Sequence, residues 1–191
     1  MRRRTIIAVV SLVLCLLPAA TALADAYHLY PGGYDPIFVS SLSYVLSGGD
    51  SYYQQNIMSA GANQWNGISS NVYVWLYASG ARMSIYKSST PLDSVYGEMI
   101  PYKRNILGLI VVASLTDVWW CTDCKGFDNT MTLDGFTDAQ KKATFSHEIG
   151  HALSLDHTMD LATREVMDQG RFKALSPTSV DRGHLTLKWG Y

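Results

Sequence analysis

Four residues with the right chemistry for a hydrolytic metal site lie within one short stretch, His147-Glu-Ile-Gly-His-Ala-Leu-Ser-Leu-Asp-His157. His147 and His151 are four apart, the spacing that stacks two side chains one turn apart on a single helix face. Two imidazoles so placed can chelate one zinc ion. Glu148 follows the first of them directly. That offset sets its carboxylate beside such an ion without binding it, within reach of a water activated there. A hydrolytic zinc keeps three protein ligands and one open position. His157 supplies the third, but it lies too far past His151 for the same helix to bring it round. The helix must stop and the chain must turn back. Sequences of the form H-E-x-x-H-x-x-G-x-x-H make that turn with a glycine; this chain has Ser154 there. A left-handed serine costs on the order of 1–2 kcal/mol, which metal binding outweighs.

The elements that must hold these side chains are legible in outline. Thr137-Asp-Ala-Gln140 fits a capping box and opens a helix expected to run to about Leu155. Phe145, Ile149, Ala152 and Leu153 line one side; Ala139, Ala143, His147, Gly150 and His151 line another. Two engaged sides predict a central helix. Gly150 in its interior costs about 1 kcal/mol of helix propensity, so packing must compensate. Upstream, Tyr30-Pro-Gly-Gly33 reads as a turn and Ile37 to Leu46 as a strand. Gly48-Gly-Asp-Ser51 breaks the chain and caps a helix from Tyr52 to Asn66. Asn71 to Ala78 alternates aliphatic and aromatic residues and predicts a strand, with Ala81 to Tyr86 its neighbour across a turn at Ser79-Gly80. Ile106 to Leu115 is almost wholly apolar and predicts a strand covered on both faces, and Thr130 to Leu133 a further short strand. This order predicts an α+β fold, a sheet covered by helices. No repeats, linkers or low-complexity tracts interrupt it.

The chain has 191 residues, 48% hydrophobic and 16% charged, with a net charge of -1. One domain with a substantial core fits that length. The weak charge and the absence of basic runs argue against nucleic acid as a partner. Arg2 to Arg4, the apolar run Ile6 to Leu17, Pro18 and then small residues have the pattern of a secretory signal peptide, expected to span 1–24 with cleavage after Ala24, Ala24-Asp-Ala26 fitting the rule one step later; the run is too short for a membrane anchor. Its removal takes away three arginines and shifts the net charge from -1 to -4. The expected product is a secreted, extracellular monomer spanning 25–191, with no membrane contact once the signal is gone. Cys121 and Cys124 then remain; in an oxidising compartment a disulfide is the leading expectation, ahead of a redox pair or half a zinc site. Asp117, Asp123, Asp128 and Asp134 carry the oxygen ligands Ca2+ prefers. Their spacing matches no ligand loop, which favours surface acids.

The histidine stretch resembles the metzincin zinc metalloproteases, and among them small secreted matrixin-like peptidases. Ten residues beyond His157, Glu165-Val-Met-Asp168 resembles the Met-turn that lies beneath the metal in that family, with Met167 as its methionine. The specific match spans Thr137 to about Asp168, with weaker likeness at Ile37 to Leu76 and at Leu175 to Tyr191. The resemblance implies a mixed, mostly parallel five-stranded sheet, an active-site helix and a short C-terminal subdomain (upper part 25–156, lower part 157–191). It also implies a Zn2+ endopeptidase with His147, His151 and His157 as ligands and Glu148 as general base. Asp181 would brace the Met-turn, an extended protein or peptide substrate would pair with an edge strand, and Gln169 to Leu175 would shape the specificity pocket. This chain departs from the family in Ser154, in the lack of an evident prodomain or cysteine switch, and in the loop from Asp117 to Asn129 with its Trp119-Trp120 pair. A non-catalytic zinc-binding or adhesion module, and a hydrolase of a non-protein amide, remain the alternative readings. His28 and His184 lie outside the motif; His184 is expected on a surface helix, and neither is given a role.

Overall fold

The computed structural model describes residues 28–89, 94–158, 164–171 and 173–190. The expected signal peptide and cleavage point lie outside the described residues, as does Tyr191.

A mixed α/β layer carries the site. In chain order the elements are β1 (Gly33–Tyr34), α1 (Pro36–Val39), β2 (Leu42–Ser47) and a helix of three contiguous parts. Those parts are α2 (Ser51–Tyr53), a π-helical stretch (Gln54–Ser59) and α3 (Ala60–Asn63). Then come β3 (Val74–Leu76), β4 (Met83–Ser88), β5 (Gly97–Arg104), β6 (Ile110–Val112), β7 (Val118–Trp119) and β8 (Cys121–Phe127). The helices α4 (Asp128–Leu133), α5 (Asp138–Ala152) and α6 (Ser179–Trp189) follow. Six strands form one sheet in the order β3-β2-β4-β8-β5-β6, and β1 pairs with β7 apart from it. The first four are mutually parallel; β5 runs antiparallel to β8, and β6 antiparallel to β5. The five-stranded expectation is therefore one strand short.

Helix α5 crosses the sheet and forms the centre of the core. The Thr137 side chain caps it by accepting from the Gln140 N–H, and Gln140 returns the bond, as the capping box predicts. Every residue from Ala143 to Ala152 is buried, so this helix is enclosed, as its two apolar sides predict. Trp65 ties the preceding helix to it, donating from Nε1 to the Ser146 carbonyl at 2.8 Å. Asp50 caps that preceding helix by accepting from the Tyr53 N–H.

Several expectations need correction. Pro36 and the Asp35 cap wind the start of the first predicted strand into one helical turn, so β2 begins only at Leu42. Strands β3 and β4 are not neighbours across a turn. Leu76 and Met83 both lie opposite Tyr44, on its two sides, so residues 77–82 cross from one flank of β2 to the other. A tight turn joins antiparallel strands only, and these are parallel. Thr130 to Leu133 belongs to helix α4, since a short apolar run does not distinguish strand from helix. The run from Ile106 to Leu115 is not enclosed at all: β6 is an outer edge strand, and Ile106, Leu107 and Leu109 are exposed.

The cysteine pair also departs from expectation. Cys121 and Cys124 are both free. They lie on strand β8, where an offset of three sends the side chains to opposite faces. No disulfide can form across that offset without dismantling the strand. The segment expected to be an irregular loop from Asp117 to Asn129 is instead largely β7, β8 and the start of α4. Trp119 lies in the core. The four aspartates considered for calcium are spread apart, each on its own partner: Asp117 on Lys103, Asp123 on Tyr102, Asp128 on Lys87 and Lys141, Asp134 on Tyr96.

Candidate metal centre

His147 and His151 project from adjacent turns of α5, and the chain returns His157 to them. Helix α5 ends at Ala152 with Leu153 as its C-cap, and Ser154 takes a left-handed conformation with φ of 68°. That is the conformation a glycine would supply at this point. The turn is pinned from outside. The Tyr30 N–H donates to the Ser154 carbonyl at 2.9 Å, and Trp189 of α6 donates from Nε1 to the Leu153 carbonyl at 2.7 Å. The Ser154 hydroxyl is buried and makes no hydrogen bond, so the serine contributes strain without a compensating contact.

The result is a three-nitrogen cluster. His151 Nε2 lies 3.0 Å from His147 Nε2 and 3.2 Å from His157 Nε2. Four-coordinate zinc with bonds of roughly 2.0–2.1 Å separates its ligand atoms by about 3.3 Å, so the spacing fits. The tautomers fit as well. His147 Nδ1 is 2.7 Å from the Val166 carbonyl, and His151 Nδ1 is 2.8 Å from the Leu155 carbonyl. A carbonyl can only accept, so each Nδ1 carries the hydrogen and each Nε2 is left with a lone pair. Two lone pairs facing each other repel; a cation between them resolves the repulsion. Burial depresses all three rings, His147 well below its ordinary value, His151 to about 3 and His157 more mildly. Neutral imidazole is the form a metal takes.

The surroundings hold the ligands in place. Asp181, at the start of α6, accepts from the backbone N–H groups of Val166 (3.0 Å), Met167 (3.2 Å) and Thr178 (2.7 Å). It thereby fixes the Val166 carbonyl that orients His147. Met167 is fully buried beneath α5, and a Cβ at position 150 would collide with its sulfur. Gly150 thus trades helix propensity for the close approach of Met167. His28 donates from Nδ1 to the His157 carbonyl at 2.8 Å, and His184 of α6 is buried beside it with ring centroids 5.3 Å apart. The expectation that His184 sits on the surface and that neither ring has a part here is corrected: α6 packs inward, His28 holds the His157 carbonyl, and His184 packs against His28.

Glu148 points into the same space. With the three histidines it lines a cavity of about 440 Å³, together with Tyr30, Gly97, Met99 and Lys173. A Cβ at Gly97 would overlap the Glu148 carboxylate, so a glycine in β5 admits it. Burial pushes the Glu148 carboxyl upward and the Lys173 ammonium downward, and their mutual attraction opposes both shifts. Tyr30 stacks on His151 with its hydroxyl 3.0 Å from Nδ1. Burial, then the Asp156 and Glu148 charges, raise its phenol far above the ordinary value, so it stays protonated. Tyr30, Gly97 and His28 were not legible as site residues, since each arrives from a distant segment. Lys173 fell within the expected pocket segment but carried no distinguishing signal. Of that segment, Gln169, Gly170 and Lys173 line the cavity.

No protein family's sequence profile matches this chain, and no curated protein matches it. Among solved structures, a chain of the GM1-bound form of the ECX AB5 holotoxin superposes with a TM-score of 0.41 at 14% identity, covering 86% of this chain and 76% of that one. Myroilysin superposes with a TM-score of 0.37 at 16% identity, covering 78% of this chain and 62% of its own. Likenesses this loose carry no weight for the site, which stands on its own residues.

Two outcomes follow. Ser154→Gly relieves the left-handed strain and removes the orphaned hydroxyl; it is expected to stabilise the fold by about 1 kcal/mol, raising Tm by roughly 2–4 °C in calorimetry. A lowered Tm would mean the hydroxyl is engaged. In metal-free protein, His151 titrates near 3 when folded against 6.5 ordinarily. Its contribution is complete above 6.5 and is lost as pH falls toward 3. Urea midpoints measured in chelator should therefore drop on acidification through that window, and His151→Gln should flatten the drop. An equal drop in that variant would show the ring is not held neutral.

Proposed function

We propose that the chain is a zinc-dependent endopeptidase, exported by its N-terminal signal and acting on extended protein or peptide substrates. The observation that carries this reading is the buried Glu148 carboxylate in the same cavity as three converging, neutral imidazole nitrogens. A purely structural zinc site is closed by a fourth ligand and needs no base. Among the described residues, the clustered metal-ligating groups are these three histidines alone.

Zinc held by the three Nε2 atoms would supply Lewis acidity, bringing a water to a pKa near 7 and polarising the scissile carbonyl. Glu148 takes the proton of the attacking water on its carboxylate and returns it to the nitrogen of the leaving amine. Burial raises its proton affinity, so the ionised carboxylate is a stronger acceptor than a solvated one and holds the proton between the two steps. Tyr30 and the backbone carbonyls of Val166 and Leu155 keep the rings from turning as charge develops.

Substrate would lie along β5. The Tyr96 and Tyr102 carbonyls face β8, while the Pro101 carbonyl faces outward and accepts from the Ala113 N–H at 2.8 Å. By the alternation of a strand, Gly97 and Met99 also face outward. Strand β6 pairs with β5 only from Tyr102 onward, so that stretch is open on the cavity side. An extended peptide can complete the sheet there, read by its backbone.

Glu148→Gln is expected to bind zinc as the parent does and to lose about 10²- to 10⁴-fold in cleavage of casein. A chelator should abolish the parent's activity, and added zinc should restore it. Parent-like turnover by Glu148→Gln would remove Glu148 from the role of base. Zinc binding without hydrolysis of any protein would return the site to the non-catalytic reading.

A further inference from the structure

The apolar run that escaped burial forms a projecting blade. From Asn105 to Thr116 no residue is charged. Strands β5 and β6 meet at a turn locked by Asn105, whose side chain accepts from the Leu107 and Leu109 N–H groups at 2.9 and 3.0 Å. Ile106 is 102% exposed and Leu107 75%. Behind them Leu109, Ile110 and Val112 are more than half exposed. Neighbouring residues on a strand point to opposite faces, and Ile110, Val111 and Val112 are all exposed. Both faces of the blade and its tip are therefore bare.

A cationic collar stands at its base. Arg104 pairs with Ile110 across the hairpin. Its guanidinium lies 3.9 Å from the Trp120 ring centroid, and Arg82 lies 4.1 Å from the same ring. Arg82 also stacks at 3.5 Å on Phe38. Among the described residues, neither guanidinium has a carboxylate within ion-pair distance. Two cations sharing an indole, with no anion of their own, offer a place for one.

We propose that this hairpin docks the protein on a lipid bilayer carrying anionic headgroups, with Ile106 and Leu107 entering the acyl boundary and Arg104 and Arg82 meeting the headgroup phosphates. The dimensions agree. The tip extends two residues beyond the Arg104–Ile110 pair, about 7 Å at the rise of a strand, and interfacial apolar segments enter by roughly 5–10 Å. Trp120 lies against both guanidinium groups at the base of the blade, and tryptophan is enriched at the membrane interface. A second copy of the chain is the poorer occupant. Strand β6 is three residues long, a short edge for pairing with a second copy, whereas a stable dimer buries roughly 800 Å² per partner. A fluid covers two faces and a tip at once without needing a groove shaped to them. Among the described residues no helix is long and apolar enough to cross a membrane, and the sequence-based expectation of no membrane contact considered spanning segments only.

The test is cosedimentation of the exported protein with vesicles of phosphatidylcholine, alone or mixed with phosphatidylglycerol. The parent is expected to sediment with the mixed vesicles and to be released by salt. The double variant Ile106→Asp, Leu107→Asp should partition at least tenfold less, with an unchanged circular dichroism spectrum, since both side chains are exposed and outside the core. Arg104→Gln should weaken binding and reduce its salt dependence. Parent and variants share one N-terminus, so any contribution from it cancels. Failure of the parent to bind, or equal binding by the tip variant, would overturn the proposal. So would a concentration-dependent dimer of the parent that the tip variant dissolves.

Discussion

Two imidazole nitrogens that face each other with lone pairs need a cation between them, and much of this fold serves to keep them so. His147 and His151 cannot turn away, because the Val166 and Leu155 carbonyls hold their outer nitrogens. The Val166 carbonyl is set in turn by Asp181, which gathers the backbone of the turn around Met167. Asp181 belongs to α6, and the same helix reaches back through Trp189 to the end of α5 and through Lys188 to the Tyr30 and Gly32 carbonyls. A chain of ordinary hydrogen bonds thus links the C-terminal helix, the N-terminal segment and the central helix to one point. Relief of the repulsion at that point adds to what metal coordination there gains.

Burial sharpens the same site. In water an imidazole near neutral pH is part protonated and a carboxylate is ionised. Enclosed beneath the sheet, the three rings are held neutral and Glu148 is drawn toward its protonated form. One desolvating environment therefore prepares ligands for a metal and a base for a proton. Glycines make the enclosure tight where side chains would block it, Gly150 against Met167 and Gly97 against Glu148.

The site was far more legible than the sheet. His147, Glu148, His151 and His157 depend on local spacing along one helix and one turn, which sequence carries directly. The left-handed residue at Ser154 followed from the need to turn back, not from its side chain. Helix α5 announced itself through its capping box and its two apolar sides. What sequence could not convey was pairing. Strand β4 lies on the far side of β2 from β3, and nothing in Ser79-Gly80 distinguishes a crossing from a hairpin. The run Ile106 to Leu115 has the composition of an enclosed strand but lies at an edge, because enclosure depends on what packs nearby. Cys121 and Cys124 looked like a turn until a strand set them on opposite faces. Tyr30, His28 and Gly97 reach the site from distant segments, and no local pattern marks them.

The central claim is that three imidazoles, and no sulfur, hold one metal ion. X-ray absorption at the zinc edge on the metal-loaded protein tests it most directly. One zinc per chain is expected, with three nitrogen ligands at roughly 2.0–2.1 Å and one oxygen ligand. Sulfur at about 2.3 Å would place the metal on Cys121 or Cys124 instead. A shell without imidazole scattering would rule out the three-histidine site.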